Sequence, residues 1–296
     1  MESSRLTQVT RAALLAHLTR LEGERHPFLS RDHLHAAEQY VTSQWRSWGL
    51  TISSDEFLYI GERFVNLIAR PASPTVGPRL IIGAHLDTVP GSPGADDNAS
   101  GVAVMLEISR VFSQHPVSLP LEFVAFTLEE LGMVGSRHYA ATLRRARVPL
   151  IGMLSLEMVG FTESEGGQQY PLFLRGRFPS IGNYLGLVAN RRSRSLLQTV
   201  AHGMRLINGV PLETLVIPGN GWIVPESRLS DHAPFWDQGY PALLLTDTAF
   251  LRNPHYHQPS DTVATLDLSF LTKVTQGLVA VIEHVANSEF EVQNAE

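Results

Sequence analysis

Between Leu80 and Gly101 the chain reads LIIGAHLDTVPGSPGADDNASG. An apolar run, Leu80-Ile81-Ile82, ends in Gly83-Ala84 and then His85-Leu86-Asp87. A Pro/Gly-rich loop follows, then Asp96-Asp97-Asn98, and Ala99-Ser100-Gly101 opens an apolar, helix-like segment. A buried strand is rigid, so its C-terminal end places polar groups accurately. Three carboxylates and one imidazole within thirteen residues suit a divalent cation, because zinc takes His nitrogen and carboxylate oxygen. The plainer reading is an acidic, solvated turn, since Asp, Asn, Ser and Gly also build turns.

The chemistry open to such a stretch is narrowed by what the chain lacks. It has 296 residues and no cysteine, so a disulfide framework and a thiolate site are both excluded. Any metal must be held by His, Asp and Glu. The net charge of -6 argues against a nucleic-acid binder, which needs a basic stripe. No run approaches the ~18 apolar residues of a transmembrane helix, so no membrane partner is expected. Met1-Glu2-Ser3-Ser4-Arg5 leads into alternating polar and apolar residues rather than an apolar signal core. That predicts a cytoplasmic protein if Met1 is the native start, and a secreted one if the N-terminus was trimmed.

Taken in order, residues 6 to 22 place Val9, Ala12, Leu15, Leu18 and Leu21 at helical steps. Ser30 is positioned to cap a second helix from Arg31 to about Trp48, which Gly49 ends. Strands are predicted over 50–58 and 64–69, around the Gly61-Glu62 turn. The organising strand comes next, then a helix from Gly101 to Phe112. A strand from Leu121 to Phe126 ends in Thr127-Leu128-Glu129-Glu130-Leu131-Gly132. A helix after Gly132 leads to a strand from Leu150 to Leu156, followed by Glu157. Residues 161–180 lack a period and read as an excursion. Helices are predicted for Asn183–Asn190 and Ser193–Leu206, short strands for Leu215–Ile217 and Ala242–Leu245, and a final helix to about Asn287 capped by Asp267.

The alternation of strand and helix predicts a single-domain, three-layer α/β/α sandwich over residues 1–296, with a central mixed, mostly parallel sheet. Sites in such folds lie beyond the carboxyl ends of the strands. Three strands here end in His85/Asp87, Glu129/Glu130 and Glu157.

HLDT, GADDNASG, EELG with a following GS, LEMVG, SDHAPF and YHQPSDT occur in that order. Together they resemble the co-catalytic zinc aminopeptidases of the aminopeptidase Y and aminopeptidase S type, a family that also includes glutaminyl cyclases. The resemblance covers roughly residues 10–290. It implies two Zn²⁺ per chain, replaceable by Co²⁺ or Mn²⁺, at about the 3.5 Å separation of two-metal hydrolases. It further implies that His85 and Glu157 hold one ion and Glu130 and His257 the other, with Asp97 as the bridge. The Asp97-Asn98 peptide would be cis and Glu129 the general base. Asp87 would orient His85 through its other ring nitrogen, while Asp231 and Asp261 would support the site without binding metal. Glu157 stands where many members of the family have Asp.

The implied function is exopeptidase action on peptides, with aminopeptidase activity ahead of glutaminyl cyclisation and of an inactive binding domain. Two adjacent glutamates suit hydrolysis, one as ligand and one as a base free to carry a proton. Side-chain preference and oligomeric state are not legible. Arg252 and Tyr256, on the loop before His257, are candidate substrate contacts, Arg252 because a guanidinium grips carboxylates bidentately. The plainer role for Arg252 is pairing with Asp247 or Asp261. His232 and His255 are expected to be structural, and His17, His26, His33, His35, His115, His138, His202 and His284 to be surface or helix residues.

Overall fold

The computed structural model describes residues 4–72, 76–207 and 209–288. One eight-stranded sheet runs through them. Its strands are β1 (Thr51–Tyr59), β2 (Glu62–Arg70), β3 (Arg79–His85), β4 (Leu121–Phe126), β5 (Leu150–Glu157), β6 (Leu185–Asn190), β7 (Leu212–Ile217) and β8 (Ala242–Thr246), in the order β1-β2-β4-β3-β5-β8-β6-β7. The central four, β4-β3-β5-β8, are mutually parallel. β1 and β2 are antiparallel at one margin, and the parallel pair β6-β7 joins antiparallel to β8 at the other.

Alternation along the central strands builds two cores. Leu80, Ile82 and Ala84 of β3, Phe123 and Ala125 of β4, and Leu154 and Leu156 of β5 enter the larger one. Ile81, Val124, Phe126 and Met153 enter the smaller one on the opposite face, as the two-residue period of a strand requires. The helices are α1 (Arg11–Leu21), α2 (Arg31–Ser47), α3 (Gly101–Gln114), α4 (Val134–Arg145), α5 (Arg194–Arg205), α6 (His232–Asp237) and α7 (Leu268–Asn287). α1, α2, α3, α5 and α7 supply the larger core, and α4 and α6 the smaller. Gly83 lets the layers close: a Cβ there would lie 2.5 Å from the Phe126 ring. Among the described residues no helix is long and apolar enough to cross a membrane.

Three local expectations change. The predicted helix over Asn183–Asn190 is instead the strand β6, Leu185–Asn190: Leu185, Leu187 and Ala189 are buried in the larger core, a short apolar run that periodicity alone does not assign. Ser30 precedes α2 but makes no cap bond. Its hydroxyl is bonded to Glu24 instead. The first helix is split, with a 3₁₀ turn at Leu6–Gln8 and then α1, whose start is fixed by Thr10 accepting from the Ala13 amide. Asp267 caps α7 as expected, accepting from Ser269 and Phe270. His17 lies on α1 but faces inward, contacting Tyr40 and Glu107.

Candidate metal centre

Sheet register explains why distant residues meet. Gly83 pairs with Ser155 across β3 and β5, so two residues further on His85 and Glu157 share a level and a face. His85 Nε2 lies 3.3 Å from Glu157 Oε1. On the other side His85 pairs with Phe126 at the end of β4, and the turn beyond it carries Glu129 and Glu130. Leu128, Met158 and His257 hold left-handed backbone conformations beside these groups, and strain of this kind gathers at functional sites.

Asp97 stands at the centre. Its Oδ1 is 3.4 Å from His85 Nε2, and its Oδ2 is 3.2 Å from His257 Nε2. His257 Nε2 is also 3.3 Å from Glu130 Oε2. The Asp97-Asn98 peptide is cis, as the resemblance implies. Potential donor atoms of His85, Asp97 and Glu157, and those of Asp97, Glu130 and His257, fall into two compact groups, each within 4.8 Å. A third group joins His85 to Glu129 and Glu130, although Glu129 Oε2 is 4.0 Å from His85.

The surrounding acids hold main chain in place. The Asp87 carboxylate accepts from the Glu129 and Glu130 amides at 3.0 and 3.1 Å. His85 Nδ1 meets the Asp87 carbonyl at 3.1 Å, while the Asp87 carboxylate is 3.9 Å away. The expected orienting contact therefore comes from the Asp87 backbone, and its side chain positions the two glutamates. Asp261 accepts from the Asp96 and Asp97 amides at 2.9 and 3.1 Å. Asp231 is buried, and neither of its oxygens has a hydrogen-bond partner among the described residues. Ser230, not distinguished by the sequence motif from its neighbours, donates to Glu157 Oε2 at 2.8 Å. SDHAPF contains both Ser230 and Asp231, and a serine in such a motif carries no signal of its own.

Burial, partly opposed by His85, holds the Glu129 carboxyl well above the usual range, and Glu157, Glu130 and Asp231 add to the effect. Burial and Asp97 push Glu130 up to about 7. Burial would raise Asp97 too, but bonds from His257 and His85 pull it below its ordinary value. Burial alone would lower His257, yet Asp97 and Glu130 raise it to about 10. These acids thus draw positive charge to one place.

Glu130 Oε1 is buried without a hydrogen-bond partner among the described residues, which a native site leaves only to a ligand, an ion or water. Imidazoles and carboxylates without thiolate match zinc and its neighbours. The residues fit.

A cavity of about 340 Å³ opens on the centre. Tyr170, Leu174, Phe178, Leu187, Phe250 and Tyr256 are among its walls, and the 161–180 excursion contributes the first three. Tyr256 stacks on His257 with centroids 3.7 Å apart. Arg252 does not line this cavity. It is 5% exposed, donates to Gln168 and to the Phe161 and Tyr184 carbonyls, and lies over the Tyr184 ring. This corrects the expectation of a substrate-gripping Arg252. Carbonyls, an amide and a ring make the direct contacts to the guanidinium, and its charge also acts on the buried Asp247 carboxyl, pulling it down against burial.

The model of peptidase family M28 matches residues 66–282. The chain therefore belongs to peptidase family M28, and fold and centre define it as a metallopeptidase. Over 266 residues it is 31% identical to the uncharacterized protein YfbL of Escherichia coli, covering 85% of this chain and 80% of that one. It is 29% identical over 219 residues to the aminopeptidase YwaD of Bacillus subtilis, which covers 71% of this chain but only 42% of YwaD. The LapA aminopeptidase of Legionella pneumophila shares the fold with a TM-score of 0.77, at 21% identity, over 96% of this chain and 74% of LapA.

Proposed function

We propose that this protein is a two-zinc aminopeptidase that removes N-terminal residues from peptides. The observation that carries the reading is the placement of Asp97, whose two oxygens face two different histidines. Each histidine has its own acid, Glu157 or Glu130. His85, Glu157 and Asp97 would hold one ion, and His257, Glu130 and Asp97 the second. Bound there, zinc supplies Lewis acidity, lowering the pKa of water and polarising the scissile carbonyl. Glu129 does the proton work: it takes the proton from the attacking water and delivers it to the departing amine. Asp87 keeps Glu129 and Glu130 at fixed positions through their amides, and Ser230 fixes the second Glu157 oxygen.

The choice of the amino end rests on charge. Asp97, Glu129, Glu130, Glu157, Glu213 and Glu226 line the cavity, and no lysine or arginine is among its described lining residues. A substrate α-ammonium meets carboxylates there, whereas a C-terminal carboxylate finds no lysine or arginine among the described lining residues. The apolar walls suit a bulky N-terminal side chain.

N-acetylation of a peptide with a large apolar first residue is expected to lower kcat/KM by roughly 10–100-fold, from ~1.5–3 kcal/mol for a charge-assisted hydrogen bond. Amidation of the C-terminus should leave it nearly unchanged. Steady-state kinetics on the matched peptides checks both. A preference for the acetylated peptide, or a requirement for the free carboxylate, would assign the cavity to the other end of the chain.

A further inference from the structure

Arg25 is 2% exposed and lies in the segment between α1 and α2. Its guanidinium is spent on main-chain carbonyls. Nε donates to Leu86 O at 2.7 Å, and Nη2 to Gly94 O at 2.9 Å. Nη1 donates to Gly23 O at 2.7 Å, Pro93 O at 3.0 Å and Leu21 O. The Arg25 amide also donates to Thr88 Oγ1 at 2.8 Å.

These partners mark both ends of one loop. Leu86 follows His85 directly, and Pro93-Gly94 lead into Asp96-Asp97. One side chain therefore joins the strand end that carries His85 to the turn that carries Asp97, and ties both to the end of α1. Gly94 leaves room for the approach: at φ +61° its missing Cβ would lie 2.8 Å from Arg25 Nη2 and 2.4 Å from the Asp97 carbonyl. Burial lowers the guanidinium pKa to about 10, with Asp97, Asp261, Asp87 and Glu130 acting against it. The group thus stays charged at neutral pH.

From this geometry we infer that Arg25 is a positioning residue that holds the 86–94 loop in its metal-receiving conformation before any metal arrives. The planar, five-donor guanidinium is suited to this, because a lysine ammonium has three donors and cannot span the same carbonyls. The alternative role is electrostatic, and its sign is opposite. A cation near the centre repels Zn²⁺, so if charge were the main effect, neutralising Arg25 would tighten metal binding.

The readout rests on the zinc reading above, and metal-free protein separates the two. Hydrogen exchange of metal-free wild-type protein should show the bonded amides of the 86–98 segment as protected as in the zinc-loaded protein. Unprotected amides there in the metal-free state would overturn the clamp without any variant. Zinc affinity measured by chelator competition on metal-free protein should fall about 10–100-fold in Arg25→Lys, the usual cost of losing a partner that orients ligands. In Arg25→Ala, added guanidinium ion should restore part of the loss, which a general loss of stability would not allow. Wild-type affinity in folded Arg25→Lys and Arg25→Ala, or tighter binding in Arg25→Ala, would contradict the proposal. Wild-type protein that binds no zinc would instead remove the functional reading itself.

Discussion

Glu129→Gln is expected to lower kcat by roughly 10²–10⁴-fold, the usual range for loss of a general base, while metal content and fold survive. Glutamine keeps the size of the side chain and its hydrogen bonding, but it cannot accept the water proton. KM should change little, because the base acts mainly in the transition state. Glu130→Gln should lose metal as well as rate, since Glu130 sits 3.3 Å from His257 Nε2. The proposed roles follow distance from His85: Glu129 lies 4.0 Å away, against 3.3 Å for Glu157 and 3.4 Å for Asp97. Elemental analysis beside steady-state kinetics checks the pair of variants. Metal loss from Glu129→Gln with retention in Glu130→Gln would exchange the two roles.

Asp97→Asn is expected to weaken both ions, each by more than the 10–100-fold typical of an outer partner, and to abolish measurable turnover. Two dications at close range repel strongly, and a shared carboxylate offsets that repulsion for both. The amide is neutral and offers one acceptor oxygen in place of two. His257→Ala removes a contact on one side only, so it should weaken one ion and largely spare the other. Zinc titration of the metal-free variants distinguishes them. Two ions bound to Asp97→Asn at wild-type affinity would shift the bridge to Asp96. The structure gives Asp96 other work, because it accepts from Asn253 Nδ2 at 2.7 Å and from the Gly160 amide at 3.0 Å.

How much of this centre the sequence reveals depends on what kind of contact each residue makes. β3, β4 and β5 were legible because short apolar runs stop abruptly at acids or a histidine, and their register then brings His85 and Glu157 together. Asp97, Glu130 and His257 were legible through local motifs. Arg25 was not. It lies outside any periodic segment, and its partners are carbonyl oxygens, which every residue possesses. Asp87 is legible as a neighbour of His85, its carboxylate 3.9 Å from Nδ1, but the closer contact through its carbonyl and its bonds to the Glu129 and Glu130 amides depend on a backbone path that sequence does not show. The enclosure of Arg252 is not legible in the sequence, because a loop arginine five residues before a motif histidine resembles an anion receptor. Gly182, where a Cβ would lie 2.7 Å from Arg252 Nε, adds to how tightly that side chain is enclosed. β6 was missed because an apolar run of this length fits a helix and a strand equally.

The most direct test of the account is a count of zinc against activity. Protein stripped by chelator should lose aminopeptidase turnover and regain it on addition of zinc, with cobalt or manganese as substitutes, and elemental analysis of the reactivated protein should give two ions per chain. Undiminished turnover with metal removal verified would contradict the account. So would full activity restored by a single ion with no second one bound, which would favour a cyclase-like centre, or a chain that binds no metal.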